Sequence, residues 1–66
     1  MQITVNGKVM EVEDGTTIEA LLRRLSIRME FTAVALNREV AKRSTYSTTA
    51  LRAGDHVEIV RPVGGG

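Results

Sequence analysis

Few groups in this 66-residue chain have types that could do chemistry. His56 is the single histidine, and imidazole titrates near neutrality without perturbation. It follows Asp55, but neighbours on a strand point to opposite faces, so the expected place for His56 is an exposed strand edge. Glu11 and Glu13 share one strand face, as paired acids do. They fall on the wet side of a hairpin, where solvation is the default. Arg23, Arg24 and Arg28 read as a charged helix face. The remaining candidate is the carboxylate of Gly66, at the end of Val63-Gly64-Gly65-Gly66. A terminal carboxyl has a pKa of about 3.5 and is ionised at pH 7. It resists nucleophiles, but it can itself attack the α-phosphate of ATP to give an acyl-adenylate. A sulfur donor that displaces AMP then leaves a thiocarboxylate.

Composition narrows the alternatives. The chain has no Cys, which removes disulfides, thiolate catalysis and thiolate metal sites. One His leaves no histidine-rich metal site, and none is expected. Nine Lys and Arg against eight Asp and Glu give a net charge of +1, with no electrostatic case for nucleic acid. No apolar run approaches the roughly 18 residues of a membrane span, and no signal-peptide pattern opens the chain. A soluble cytoplasmic domain, monomeric alone, is expected. Sixty-six residues build one core, and a domain this small rarely encloses a ligand pocket. Chemistry would therefore take place in a partner's pocket, with this chain as substrate or carrier.

The elements that must position the tail are legible from periodicity and turn signals. Gln2–Val5 and Lys8–Glu13 alternate around Asn6-Gly7, the strongest two-residue hairpin signal, because a type I′ turn needs φ > 0 at both centres. That turn sets Val5 opposite Lys8, Ile3 opposite Met10 and Met1 opposite Val12. Met1, Ile3, Val5, Met10 and Val12 then share a dry face. Gln2, Thr4, Val9, Glu11 and Glu13 share the wet one, where only Val9 breaks the polarity. After Asp14-Gly15, Thr16 with Glu19 has the form of a capping box. Ile18, Leu21, Leu22 and Leu25 have the spacing of a one-sided helix, and Arg23 and Arg24 suit its last turn.

Residues 26–32 have no clean period and read as a loop. Thr32 to Leu36 is a third strand with Val34 and Leu36 on one side. A turn at Asn37-Arg38-Glu39 leads to a short fourth strand around Val40. Residues 43–50 form a polar connection anchored by Tyr46, with Leu51 as a second anchor. Gly54-Asp55 is a turn. His56 to Arg61 is the fifth strand, with Val57 and Ile59 inward and Glu58 and Val60 outward, and Pro62 ends it. The order β-β-α-β-β-β, with one helix across a mixed sheet, predicts an α+β fold of the β-grasp, ubiquitin-like kind. The domain is expected over 1–62, with 63–66 as a flexible glycine tail.

Glycine-rich ends are commonly flexible remnants. A last strand running directly into terminal glycines argues otherwise here. From Arg61 the tail reaches at most about 17 Å, and without Cβ atoms Gly64 and Gly65 let a partner enclose the backbone closely. Val9, Val60 and Val63 are the candidate partner contacts.

The chain resembles the ThiS family of sulfur carriers over essentially its whole length. The resemblance rests on Ile3-Thr4-Val5-Asn6-Gly7, Thr17-Ile18-Glu19-Ala20-Leu21-Leu22 and Ala33-Val34-Ala35-Leu36-Asn37. It continues in Gly54-Asp55-His56-Val57-Glu58-Ile59-Val60 and the Gly65-Gly66 end. It departs at Arg38, where a turn Gly is frequent, at Lys42, where Pro is common, and at Tyr46, where a larger aromatic often sits. The resemblance implies a carrier with no cofactor of its own. It implies adenylation of Gly66 by a ThiF-like enzyme that uses ATP and Mg, thiocarboxylate formation with a sulfur donor protein, and delivery to a ThiG-like thiazole synthase. Of the motif positions, only Gly65-Gly66 carry a functional role over. The competing readings are a molybdopterin-synthase-type carrier, a ubiquitin-like modifier, and a binding module whose tail is irrelevant.

Overall fold

The computed structural model describes residues 1–61. The expected tail boundary at residues 62 and 63 therefore lies outside the described residues, as do Val63, Gly64, Gly65 and Gly66.

Asn6 and Gly7 adopt φ of 50° and 83°, the double positive φ of a type I′ turn. They join β1 (Gln2–Val5) to β2 (Lys8–Glu11) in the expected register, Val5 to Lys8 and Ile3 to Met10. The main chains of Met1 and Val12 also pair, through Met1 N to Val12 O at 2.8 Å and Val12 N to Met1 O at 2.9 Å. A second such turn, at Asn37 (φ 51°) and Arg38 (φ 72°), joins β3 (Ala33–Leu36) to β4 (Glu39–Val40). Strand β5 (His56–Val60) lies between the two hairpins. It runs parallel to β1 and antiparallel to β3, giving the order β2-β1-β5-β3-β4.

The one α-helix among the described residues, α1 (Ile18–Arg24), covers the dry face. Ile18, Leu21 and Leu22 are buried against Ile3, Val12, Val34, Val57 and Ile59, and Tyr46 and Leu51 close the same core. A mixed five-stranded sheet with one helix on one face is the β-grasp arrangement.

The helix start differs from the expected one. Thr17, not Thr16, is the N-cap, and its Oγ1 accepts from Ala20 N at 3.1 Å. An isolated bridge between Thr17 and Ala50 holds Thr17 extended, so helical geometry begins at Ile18. Thr16 Oγ1 instead donates to Glu13 O at 2.6 Å. No capping box forms: Glu19 pairs with Arg23 at 3.6 Å. The free N–H groups of the first turn go to the later connection, Ile18 N to Thr49 O at 3.1 Å and Glu19 N to Tyr46 O at 3.0 Å.

The helix end carries a signal that periodicity does not show. Ser26 has φ of 60°. Ser26 N bonds Arg23 O at 3.1 Å and Ile27 N bonds Leu22 O at 2.9 Å, the paired bonds of a Schellman stop with Ser in the usual Gly position. Within the expected loop, Met29–Phe31 form a 3-10 turn. The buried Thr32 closes it, its hydroxyl shared between Arg28 O at 3.1 Å and Met29 O at 3.2 Å. Strand β3 consequently begins at Ala33. Arg24 is exposed, as expected of the outer helix face, but its Nη1 donates to Glu11 O at 2.8 Å and ties the helix to the edge hairpin.

Candidate functional site

Strand β5 leads toward the glycine end, so the site is built around it. Its inward residues Val57 and Ile59 are anchored in the core, and Glu58 and Val60 face solvent. Val60 is 62% exposed and lies opposite Ala33. Ala35 lies opposite both Glu58 and Val40. Directly opposed residues share a face, so Val60, Ala33, Ala35 and Val40 form one apolar stretch on the outer face at the β5 exit. Val40 is 80% exposed. Phe31, also exposed, sits two residues before Ala33.

Val9 is exposed on the same outer face, but in another row. It opposes Thr4, and Thr4 opposes His56. Val60 lies four residues further along β5, roughly 13 Å at the rise of a strand. The structure therefore places Val9 and Val60 on one face without bringing them together. Ala33 of β3 lies directly opposite Val60, and Ala35 of β3 and Val40 of β4 continue the apolar stretch away from it. The sequence marks a short strand around Val40, but its exposed face and its place beside Ala35 depend on the register. The candidate contact Val63 lies outside the described residues.

His56 is exposed as expected, but not at a sheet edge. It begins the central strand, where its N–H donates to Asn37 Oδ1 at 2.9 Å. Thr4, Gly7, Arg38, His56 and Glu58 line an open depression on the outer face. Glu11 and Glu13 are both exposed. Among the described residues no group of three His, Cys, Asp or Glu could hold a metal ion, and no helix is long and apolar enough to cross a membrane. What the geometry offers is a central strand with an apolar flank, delivering the chain toward its glycine end.

This fold, a mixed five-stranded sheet with an exposed outer face and a helix on the other, defines a ubiquitin-like β-grasp domain. A family model described as the ThiS family matches residues 3–66. The chain resembles the crystal structure of a thiamine biosynthesis protein (ThiS) from Geobacter metallireducens. The TM-score is 0.86 and the identity 36%, and all of both chains is covered. An NMR solution structure of a thiamine biosynthesis protein from the same organism matches with a TM-score of 0.81 and 36% identity, over 100% of this chain and 88% of that one. The chain belongs to the ThiS family. It is also 41% identical, over 66 residues, to a thiazole synthase from Magnetococcus marinus, and 36% identical to one from Paramagnetospirillum magneticum. It spans all of its own length but only 20% of those two relatives.

Proposed function

We propose that this chain is a sulfur carrier in thiazole and thiamine biosynthesis, with Gly66 as the loaded residue. A carboxylate oxygen of Gly66 attacks the α-phosphorus of ATP in a ThiF-like partner, and pyrophosphate leaves. Hydrosulfide released by a donor protein attacks the acyl carbon of the adenylate, and AMP leaves with the bridging oxygen. The product is a thiocarboxylate, which passes its sulfur to a ThiG-like thiazole synthase. The partner supplies ATP and Mg, and this chain supplies the carboxylate and the strand that presents it.

The observation that carries this reading is the ThiS family match, which runs through Gly64 and Gly65 to Gly66. The family and fold do not distinguish a carrier from a conjugated modifier, and the thiazole synthase relatives favour the carrier. A segment like this one occupies a fifth of their length. Joining two modules in one chain raises their effective concentration, which suits a carrier and its acceptor. The reading requires a free carboxylate at Gly66.

Intact-mass measurement after incubation with a ThiF-like enzyme, ATP and a sulfur donor tests it. Exchange of one oxygen for sulfur is the expected result. An isopeptide-linked target would instead support a modifier, and an unchanged mass with every partner would support a binding module.

A further inference from the structure

The two type I′ turns do more than reverse the chain. Strand β1 ends at Val5, which pairs with Val57, and Asn6 N still reaches Val57 O at 2.9 Å. The chain then turns away at Gly7, while β5 continues to Val60. On the β3 side β5 stays paired as far as Val60 with Ala33. On the β1 side, among the described residues, no main chain remains to meet Ile59. The Asn6 side chain takes that place: Oδ1 accepts from Ile59 N at 2.8 Å and Nδ2 donates to Ile59 O at 3.3 Å, across 53 residues of sequence.

We infer that Asn6 is a positioning residue for the C-terminal segment, its carboxamide replacing the missing main chain of β1 at Ile59. A carboxamide carries the donor and acceptor of a peptide group without the chain. Asn also tolerates the positive φ that the turn requires. Asp keeps the acceptor but turns a carboxylate toward the Ile59 carbonyl. Gly keeps the turn and loses both bonds. The residue type thus follows from two demands met at one position. At the other end of β5, Asn37 Oδ1 accepts from His56 N at 2.9 Å and Asn37 N donates to His56 O at 2.8 Å. The strand is held by a turn asparagine at each end.

The consequence rests on the carrier reading above. Ile59 is buried and lies two residues before Arg61 and seven before Gly66. A partner that captures Gly66 must also seat the strand end from which it departs. A strand end already held by Asn6 has less freedom to lose on docking. Its loss therefore raises KM for the carrier and leaves kcat nearly unchanged, since the contribution is the same in ground and transition states.

The test compares wild type with Asn6→Gly and Asn6→Asp. Amide hydrogen exchange on the free chain should show the Ile59 amide exchanging roughly tenfold faster in Asn6→Gly, with Leu21 and Val57 still protected. Pyrophosphate release with a ThiF-like enzyme and ATP, well below the melting temperature, should show KM raised roughly three- to tenfold at unchanged kcat. Asn6→Asp, which retains the acceptor, should fall between in exchange. Unchanged Ile59 exchange, or an unchanged KM where wild type is loaded, overturns the inference. If wild type itself is never adenylated, the carrier reading fails, and with it the role in loading. The exchange arm then still decides whether Asn6 holds the strand end.

Discussion

The main-chain carbonyl of Tyr46 accepts the amide of Glu19 at 3.0 Å, so the first turn of α1 is completed by a connection 27 residues later in the chain. The Tyr46 side chain is only 2% exposed and belongs to the core. Its removal leaves a cavity and loosens the segment that receives the helix N–H groups. Tyr46→Ala should cost about 3 kcal/mol or more, measured by urea denaturation. A loss below about 1 kcal/mol would show that the segment is held without its anchor.

The position of the helix cap is open to direct test. Thr17→Ala removes the hydroxyl that accepts from Ala20 N and should cost about 1 kcal/mol. Thr16→Ala removes an exposed bond to Glu13 O and should cost less than half as much. The reverse order in thermal or chemical denaturation would restore Thr16 as the cap.

Two left-handed residues lack the glycine that suits them. Arg38 has φ of 72° and Ser26 φ of 60°. Arg38→Gly should stabilise the domain by about 0.5–1 kcal/mol: relief of the left-handed strain, about 1–2 kcal/mol, exceeds the added entropy of the unfolded chain. Ser26→Gly should act in the same direction. A lower melting temperature for both variants would contradict this account of the turns.

Function and stability should separate at Gly66. Among the described residues the core extends no further than Ile59. Deleting Gly66 should leave the melting temperature unchanged and abolish pyrophosphate release with a ThiF-like enzyme. A large loss of stability would place the glycine end within the folded domain.

Val60→Asp puts a charge into the apolar stretch beside Ala33 at the β5 exit. It should weaken partner binding by about tenfold or more and change stability by less than about 1 kcal/mol. Val9→Asp, on the edge strand two rows away, should have the smaller effect on binding. Calorimetric titration of each variant with the partner measures both, and equal affinity for Val60→Asp and wild type would exclude the patch as a contact.

Local chemistry determined much of this protein. Asn6-Gly7 imposes its own turn because both positions take positive φ, and that turn sets the β1–β2 register and hence the dry face. The spacing of Ile18, Leu21 and Leu22 identifies the buried side of α1, since one face of a helix recurs every 3.6 residues. The fold class and the core follow from such short-range rules. Three features did not, because each depends on groups far apart in the chain meeting across the sheet. The bridge from Thr17 to Ala50 moves the cap from Thr16. The pairing of Ala35 with Val40 and Glu58 places the apolar stretch next to Val60 and separates it from Val9. Asn6 reads in sequence as a turn residue. Only the meeting of β1 with β5 turns its carboxamide into the partner of Ile59, because β1 turns away before Ile59 and the Asn6 side chain meets that peptide on the β1 side.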